Sequence, residues 1–128
     1  MKYEELVKIA SEAKQNAYAP YSGFKVGAAV VTDKGNIYTG INIENASYGA
    51  TNCAERTAVF KAVSNGERKI DIVAISSESE DFIFPCGICR QVLAEFAHKD
   101  TKIICSKKNG DFIVLTLEEL LPHAFFLK

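Results

Sequence analysis

The stretch Ile103-Ile104-Cys105-Ser106-Lys107-Lys108-Asn109-Gly110-Asp111-Phe112-Ile113-Val114-Leu115 decides the architecture. Two short apolar runs rich in β-branched residues flank Asn109-Gly110, a pair that tolerates the positive φ of a tight hairpin turn. Strand five is therefore expected to run antiparallel to strand four. Upstream, Ile70, Ile72, Val73, Ala74 and Ile75 make a nearly continuous apolar strand, the kind that is buried on both faces in a parallel sheet. A helix after Pro85, with Ile88, Val92, Leu93 and Phe96 on its expected buried face, separates strands three and four. A crossover of that length makes the two strands parallel. Further out, a helix over residues 54–63 is closed by Ser64-Asn65-Gly66, and residues 24–32 and 37–41 form a hairpin around Asp33-Lys34-Gly35-Asn36. Leu6, Ala10, Ala13 and Ala17 mark one face of an opening helix, and a short amphipathic piece at 117–121 ends at Pro122. The order α-β-β-α-β-α-β-β-α predicts an α/β fold with a mixed five-stranded sheet covered on both faces.

The chain has 128 residues, with 15 Lys+Arg against 16 Asp+Glu and a net charge of −1. No repeat, low-complexity tract or linker interrupts it, so residues 1–128 are expected to form a single domain. A chain of this mass hides roughly two-thirds of its unfolded surface, and a hydrophobic content of 48% is enough to fill that core. The charge balance, with no basic cluster, argues against bulk nucleic acid or an anionic membrane as partner. The start Met1-Lys2-Tyr3-Glu4-Glu5 lacks an apolar signal region, and no apolar run approaches the roughly 18–20 residues of a membrane span. A cytoplasmic location is expected, where thiols stay reduced. The four cysteines then need a reason other than disulfides.

Cys86 and Cys89 form a C-x-x-C at the start of one predicted helix, a spacing shared by redox dithiols and metal sites. Cys53 lies 33 residues upstream at the start of another, with Glu55 two positions after it. In an α/β sheet two helix starts can converge at one end of their strands, where free N–H groups and the positive dipole ends favour thiolates. Three thiolates suit a catalytic zinc site, which leaves one position open for water. Three thiolates and Zn²⁺ sum to −1, and Arg56 and the two helix dipoles are the available compensators. Because residues two apart point nearly opposite ways on a helix, Cys53 must sit at the very beginning with its sulfur aimed past the end. Glu55, beside such a site, has the character of a general acid–base. Cys105 reads as a core residue of its strand, His98 as a cation at a helix C-terminus, and His123 has no assigned role.

Cys53-Ala54-Glu55-Arg56 followed by Pro85-Cys86-Gly87-Ile88-Cys89 resembles the zinc-dependent nucleoside and nucleobase deaminases. Tyr18-Ala19-Pro20-Tyr21-Ser22, Phe24-Lys25-Val26-Gly27-Ala28-Ala29 and Asn42-Ile43-Glu44-Asn45-Ala46-Ser47-Tyr48 are similar to the small homotetrameric cytidine deaminases over nearly the whole chain. The resemblance implies a three-layer α/β/α fold and hydrolysis of cytidine or deoxycytidine to the uridine product and ammonia, in pyrimidine salvage. It implies one zinc per subunit on Cys53, Cys86 and Cys89. Glu55 would take a proton from the zinc-bound water and deliver it to ring N3, the hydroxide would attack C4, and Glu55 would then protonate the departing amine. Phe24 would pack beside the nucleoside, Asn42 and Glu44 would hold the ribose hydroxyls, and the Ala54 backbone would address the pyrimidine. Phe125, with Ala46 and Tyr48, would reach the site of a neighbouring subunit. In the tail, His123 stands where a small residue is expected, and Phe126 adjoins Phe125.

Other readings make different demands. A polynucleotide or transfer-RNA deaminase fits poorly with the net charge of −1, with a thiolate where those families usually place histidine, and with the Asn109-Gly110 hairpin. An antibiotic deaminase of the blasticidin type leaves Asn42 and Glu44 without the ribose that suits them. A zinc-stabilised binding module would close its site with Cys105 as a fourth thiolate.

Overall fold

The computed structural model describes residues 1–127. Its elements in chain order are α1 (Tyr3–Ala13), β1 (Val26–Thr32), β2 (Ile37–Ile41), α2 (Ala54–Ser64), β3 (Ile70–Ser77), α3 (Gly87–Phe96), β4 (Ala97–Ser106), β5 (Phe112–Thr116) and α4 (Leu117–Leu120). The five strands form one sheet in the order β2-β1-β3-β4-β5. β3 and β4 are parallel, and β5 returns antiparallel to β4, as the hairpin reading requires. That turn is wider than a two-residue loop. The ladder stops at Ser106↔Phe112, Gly110 takes φ 95°, and the Asn109 side chain accepts from the Asp111 N–H at 2.9 Å.

Alternation along the strands divides the core into two layers. Ala28, Val30, Val73, Ile75, Ile103 and Cys105 face one side, where α2, α3 and α4 add Ala58, Val59, Leu93 and Leu120. Ala29, Val31, Ala74 and Ile104 face the other, where α1 adds Leu6, Val7 and Ala10. The result is the expected three-layer α/β/α arrangement.

Strand direction places the functional end. β1 is antiparallel to both β2 and β3, so β2, β3 and β4 all point the same way. α2 follows β2 and α3 follows β3 on the same face, so both helices begin at one end of the sheet.

Two expectations are corrected. Ile88 is 62% exposed, and the buried positions of α3 are Cys89, Leu93 and Ala94, because the helix starts at Gly87 and its core stripe is phased on Cys89. His98 is the second residue of β4, two residues past the end of α3 and so outside that helix's last turn. β4 begins early, at Ala97 beside Ile70, across a register shift where the Thr101 hydroxyl donates to the Ile70 carbonyl at 2.7 Å. His98 Nε2 lies 2.7 Å from Asp71 Oδ1.

α2 seats closely on the sheet because Gly40 has no side chain. A Cβ there would lie 2.4 Å from both the Ala54 carbonyl oxygen and the Ala58 nitrogen, backbone atoms that have no rotamer to move. Gly40→Ala is therefore expected to push the N-terminal half of α2 off the sheet and to cost roughly 2–3 kcal/mol by overpacking. Chemical denaturation checks this, and a loss below about 0.5 kcal/mol would show that the contact is slack.

Candidate active site

Each sulfur is placed by a helix start. Cys53 is the N-cap of α2 and Cys86 the N-cap of α3, both with extended backbone (φ/ψ −78°/158° and −68°/170°). An N-cap side chain projects beyond the first turn toward the N–H groups of N2 and N3, so both sulfurs point past the helix ends. Cys89 is the N3 residue of α3, and N-cap and N3 side chains lie on the same side. This is the physical content of the C-x-x-C spacing. In α2 the N3 position belongs to Arg56, whose Nη2 donates to Cys53 Sγ at 3.4 Å.

The three Sγ atoms lie within 4.8 Å of one another, with Cys53 and Cys86 3.7 Å apart. A tetrahedral ion that holds sulfurs at about 2.3 Å sets them about 3.8 Å apart, so the cup fits zinc. Cys105 is not in this group. It is buried in β4, where burial pushes its thiol up to about 12, which is the behaviour of a core residue. The binding-module alternative thus loses its fourth ligand.

The electrostatics favour a thiolate at Cys53. A hydrogen bond from Cys89, with further ones from Arg56 and Cys86, brings it down to about 5, while Cys89, hydrogen-bonded to that anion and buried, is pushed up. Glu55, 5% exposed, is raised to about 7 by burial, with the Cys53 charge adding to the rise.

Beside the cup is a cleft of about 320 Å³. Phe24, Asn42, Glu44, Cys53, Ala54, Glu55 and Cys86 line it, so most of the sequence-chosen residues converge. Asn42 is largely committed to structure, with Nδ2 donating to the Phe24 carbonyl at 2.8 Å and Oδ1 accepting from the Val26 N–H at 2.9 Å. Each end of its amide keeps one hydrogen-bonding position free. Cys89 and Arg56 belong to the cup, and three of the substrate-binding candidates are not brought into the cleft. Tyr48 lines an adjoining cavity with Tyr21 and Asn45, and Ala46 is exposed in the loop before it. Phe125 is 66% exposed on the tail, where its carbonyl accepts from Gln91 Nε2 at 2.8 Å. Sequence reading missed Ile83 and Phe84, which form an apolar wall of the cleft, as well as Ser22. The Phe84-Pro85 pair directly before the C-x-x-C was the available signal for the wall.

Three thiols at paired helix starts, open on one side to a cleft that holds a buried carboxyl, define a zinc centre of the catalytic type. Comparison with known proteins is specific. Residues 1–106 match the cytidine and deoxycytidylate deaminase zinc-binding region. The chain is 49% identical over 125 residues to a cytidine deaminase of Halalkalibacterium halodurans, covering 98% of this chain and 95% of that one. The crystal structure of a cytidine deaminase from Burkholderia pseudomallei superposes with a TM-score of 0.93 at 45% identity, covering 98% of this chain and all of the other. A blasticidin-S deaminase of Bacillus cereus is 35% identical over 126 residues, 92% of this chain and 88% of its own. The chain belongs to the cytidine and deoxycytidylate deaminase family, and its cofactor is zinc.

Replacing Cys53, Cys86 or Cys89 singly by Ala is expected to lower bound zinc from one per chain toward zero, whereas Cys105→Ala retains it. Metal analysis of the purified variants decides this, and zinc lost with Cys105→Ala would restore the four-thiolate reading.

Proposed function

We propose that the protein hydrolyses the exocyclic amine of free cytidine and deoxycytidine, releasing ammonia and the uridine product. The observation that carries this reading is the buried Glu55 carboxyl in the cleft beside the three-sulfur cup, with Asn42 and Glu44 lining the same cleft. Cys53, Cys86 and Cys89 would hold the zinc, which when bound would supply the Lewis acidity that lets a water attack near neutral pH. Arg56 and the N-termini of α2 and α3 offset the negative charge of the thiolates, so that acidity is preserved.

Glu55 carries the protons. Its carboxylate takes one from the attacking water and gives it to ring N3 as C4 becomes tetrahedral, then takes the proton of the new C4 hydroxyl and gives that one to the departing amine. Burial keeps bulk water from competing for that proton. Phe24 and the Ile83-Phe84 wall offer apolar faces to the pyrimidine, and the Ala54 backbone addresses its polar edge. Asn42 offers one donor and one acceptor position, and Glu44 accepts from sugar hydroxyls.

The family zinc site is common to nucleoside and antibiotic deaminases, so the substrate is set by the sugar end. There Asn42 and Glu44 favour a ribose. The acidic cleft wall and the net charge of −1 disfavour a polynucleotide. No helix among the described residues is long and apolar enough to cross a membrane. In this reading residues 1–128 act as one cytoplasmic domain in a homotetramer with shared sites. Phe125, Ala46 and Tyr48, which lie outside their own cleft, are offered to a neighbour.

Glu55→Ala is expected to keep zinc and fold yet to lower cytidine turnover by at least about 10²–10⁴-fold, the usual weight of a general acid–base. An absorbance assay of cytidine loss, run with and without a zinc chelator, reads both dependences. Near-normal turnover by the variant would sink the proton path. Sedimentation is expected to show a tetramer, and Phe125→Ala to raise KM for cytidine without loss of zinc. A fully active monomer would refute the shared site.

A further inference from the structure

Glu44 is held by a neighbour to which neither the sequence nor the family relationship assigns a role. One of its oxygens, Oε1, accepts the backbone N–H groups of Tyr21 at 2.9 Å and Ser22 at 3.0 Å. The other, Oε2, is hydrogen-bonded by the Ser22 hydroxyl. The direction of that bond follows from counting. Ser22 Oγ accepts the Phe24 N–H at 3.0 Å, and its single hydrogen is left for the carboxylate, which has none to give. These contacts hold the Glu44 carboxyl below its ordinary range, with the Ser22 hydroxyl as the largest cause.

A carboxylate has about four lone-pair positions. Three are occupied by the 21–22 loop, so one position on Oε2 stays open. Ser22 and Glu44 line both the reaction cleft and the adjoining cavity with Tyr21 and Tyr48, so they form part of the wall between the two. The Ser22 hydroxyl is linked to Asn42 as well, because the Phe24 residue whose N–H it accepts has its carbonyl held by Asn42. Glu44, Phe24 and Asn42 are therefore one hydrogen-bonded assembly with Ser22 at its centre.

We propose that Ser22 is a positioning residue for sugar recognition, aiming the one open acceptor of Glu44 into the cleft so that a single ribose hydroxyl binds there. The inference rests on the reading that Glu44 meets the ribose, and it assigns the discrimination for that hydroxyl to a side chain that itself need not touch the substrate. Without the Ser22 hydroxyl, Oε2 gains a second open position and the carboxylate is held through Oε1 alone, so Oε2 is no longer fixed in direction. Its contact with the sugar then weakens while the zinc cup and Glu55, on other elements, are unchanged.

The test is a cycle of two substrates and three proteins. With cytidine, Ser22→Ala is expected to lower kcat/KM about tenfold, the scale of one hydrogen bond to a charged group, and to do so mainly through KM. With 2′,3′-dideoxycytidine, which lacks the 2′ and 3′ hydroxyls and keeps only the 5′ one, the same substitution is expected to change kcat/KM less than about twofold. Ser22→Thr, which keeps the hydroxyl, is expected to return most of the cytidine loss. A Ser22→Ala loss of equal size on both nucleosides, or no loss on either, overturns the proposal while leaving the ribose reading intact. A wild-type protein that turns over both nucleosides equally well overturns the ribose reading, and this proposal with it.

Discussion

Everything at the functional end depends on bringing three sulfurs from two distant segments into one coordination sphere. Two of them are N-cap residues, so the helices that bear them must start side by side. That requires β2 and β3 to run the same way, which holds because β1 lies between them and is antiparallel to both. It also requires α2 to sit close on the sheet, and Gly40 removes the one side chain that would hold it off. The metal centre is in this sense a property of the sheet topology, and the cysteines only occupy the place the topology makes. The same geometry supplies part of the charge compensation. Two helix N-termini converge there, each with its free N–H groups.

The pairing of Cys53 with Arg56 shows how one local motif serves two ends. In α3 the N-cap and N3 positions are both sulfurs, and in α2 the same two positions are a sulfur and a guanidinium. A fourth thiolate at position 56 would close the coordination sphere and add negative charge. The arginine leaves the fourth position open and offsets one thiolate instead. The residue between them, Glu55, is the N2 residue of α2, on a different side of the helix from both, and so its carboxyl enters the cleft beside the cup.

How far the site could be read from sequence follows from where its information is stored. The cysteines, Glu55 and Arg56 lie within short windows at helix starts, where spacing alone fixes relative direction, and the reading that placed Cys53 past the helix end is what the structure shows. The mixed sheet was legible for the same reason, because Asn109-Gly110 and the length of the Pro85 helix each bear on one pair of strands. What was missed depends on contacts between segments. The phase of α3 is set by Cys89 and Leu93 against the sheet, and a pattern read from apolar character alone counted Ile88 as buried. The early start of β4 depends on the Thr101 hydroxyl finding the Ile70 carbonyl, 31 residues away. Ser22 is polar and exposed, and its importance appears only once Glu44, 22 residues on, is known to lie against it.

The tail adds a last constraint. Arg90 donates from Nε to the Pro85 carbonyl at 2.7 Å and from Nη1 to the Leu120 carbonyl at 2.6 Å, and Gln91 holds the Phe125 carbonyl. Both side chains follow Cys89 directly, so the helix that supplies two zinc ligands also fixes both ends of the segment that presents Phe125. A guanidinium donates through a rigid planar fork, so the two Arg90 bonds set the tail's origin relative to the ligand loop more tightly than a single flexible donor would. If Phe125 completes a neighbour's cleft, its ring is thus delivered in a fixed relation to the metal helix of its own subunit. Tail position and metal-loop position are then one structural quantity, set by α3 rather than by the tail's own residues.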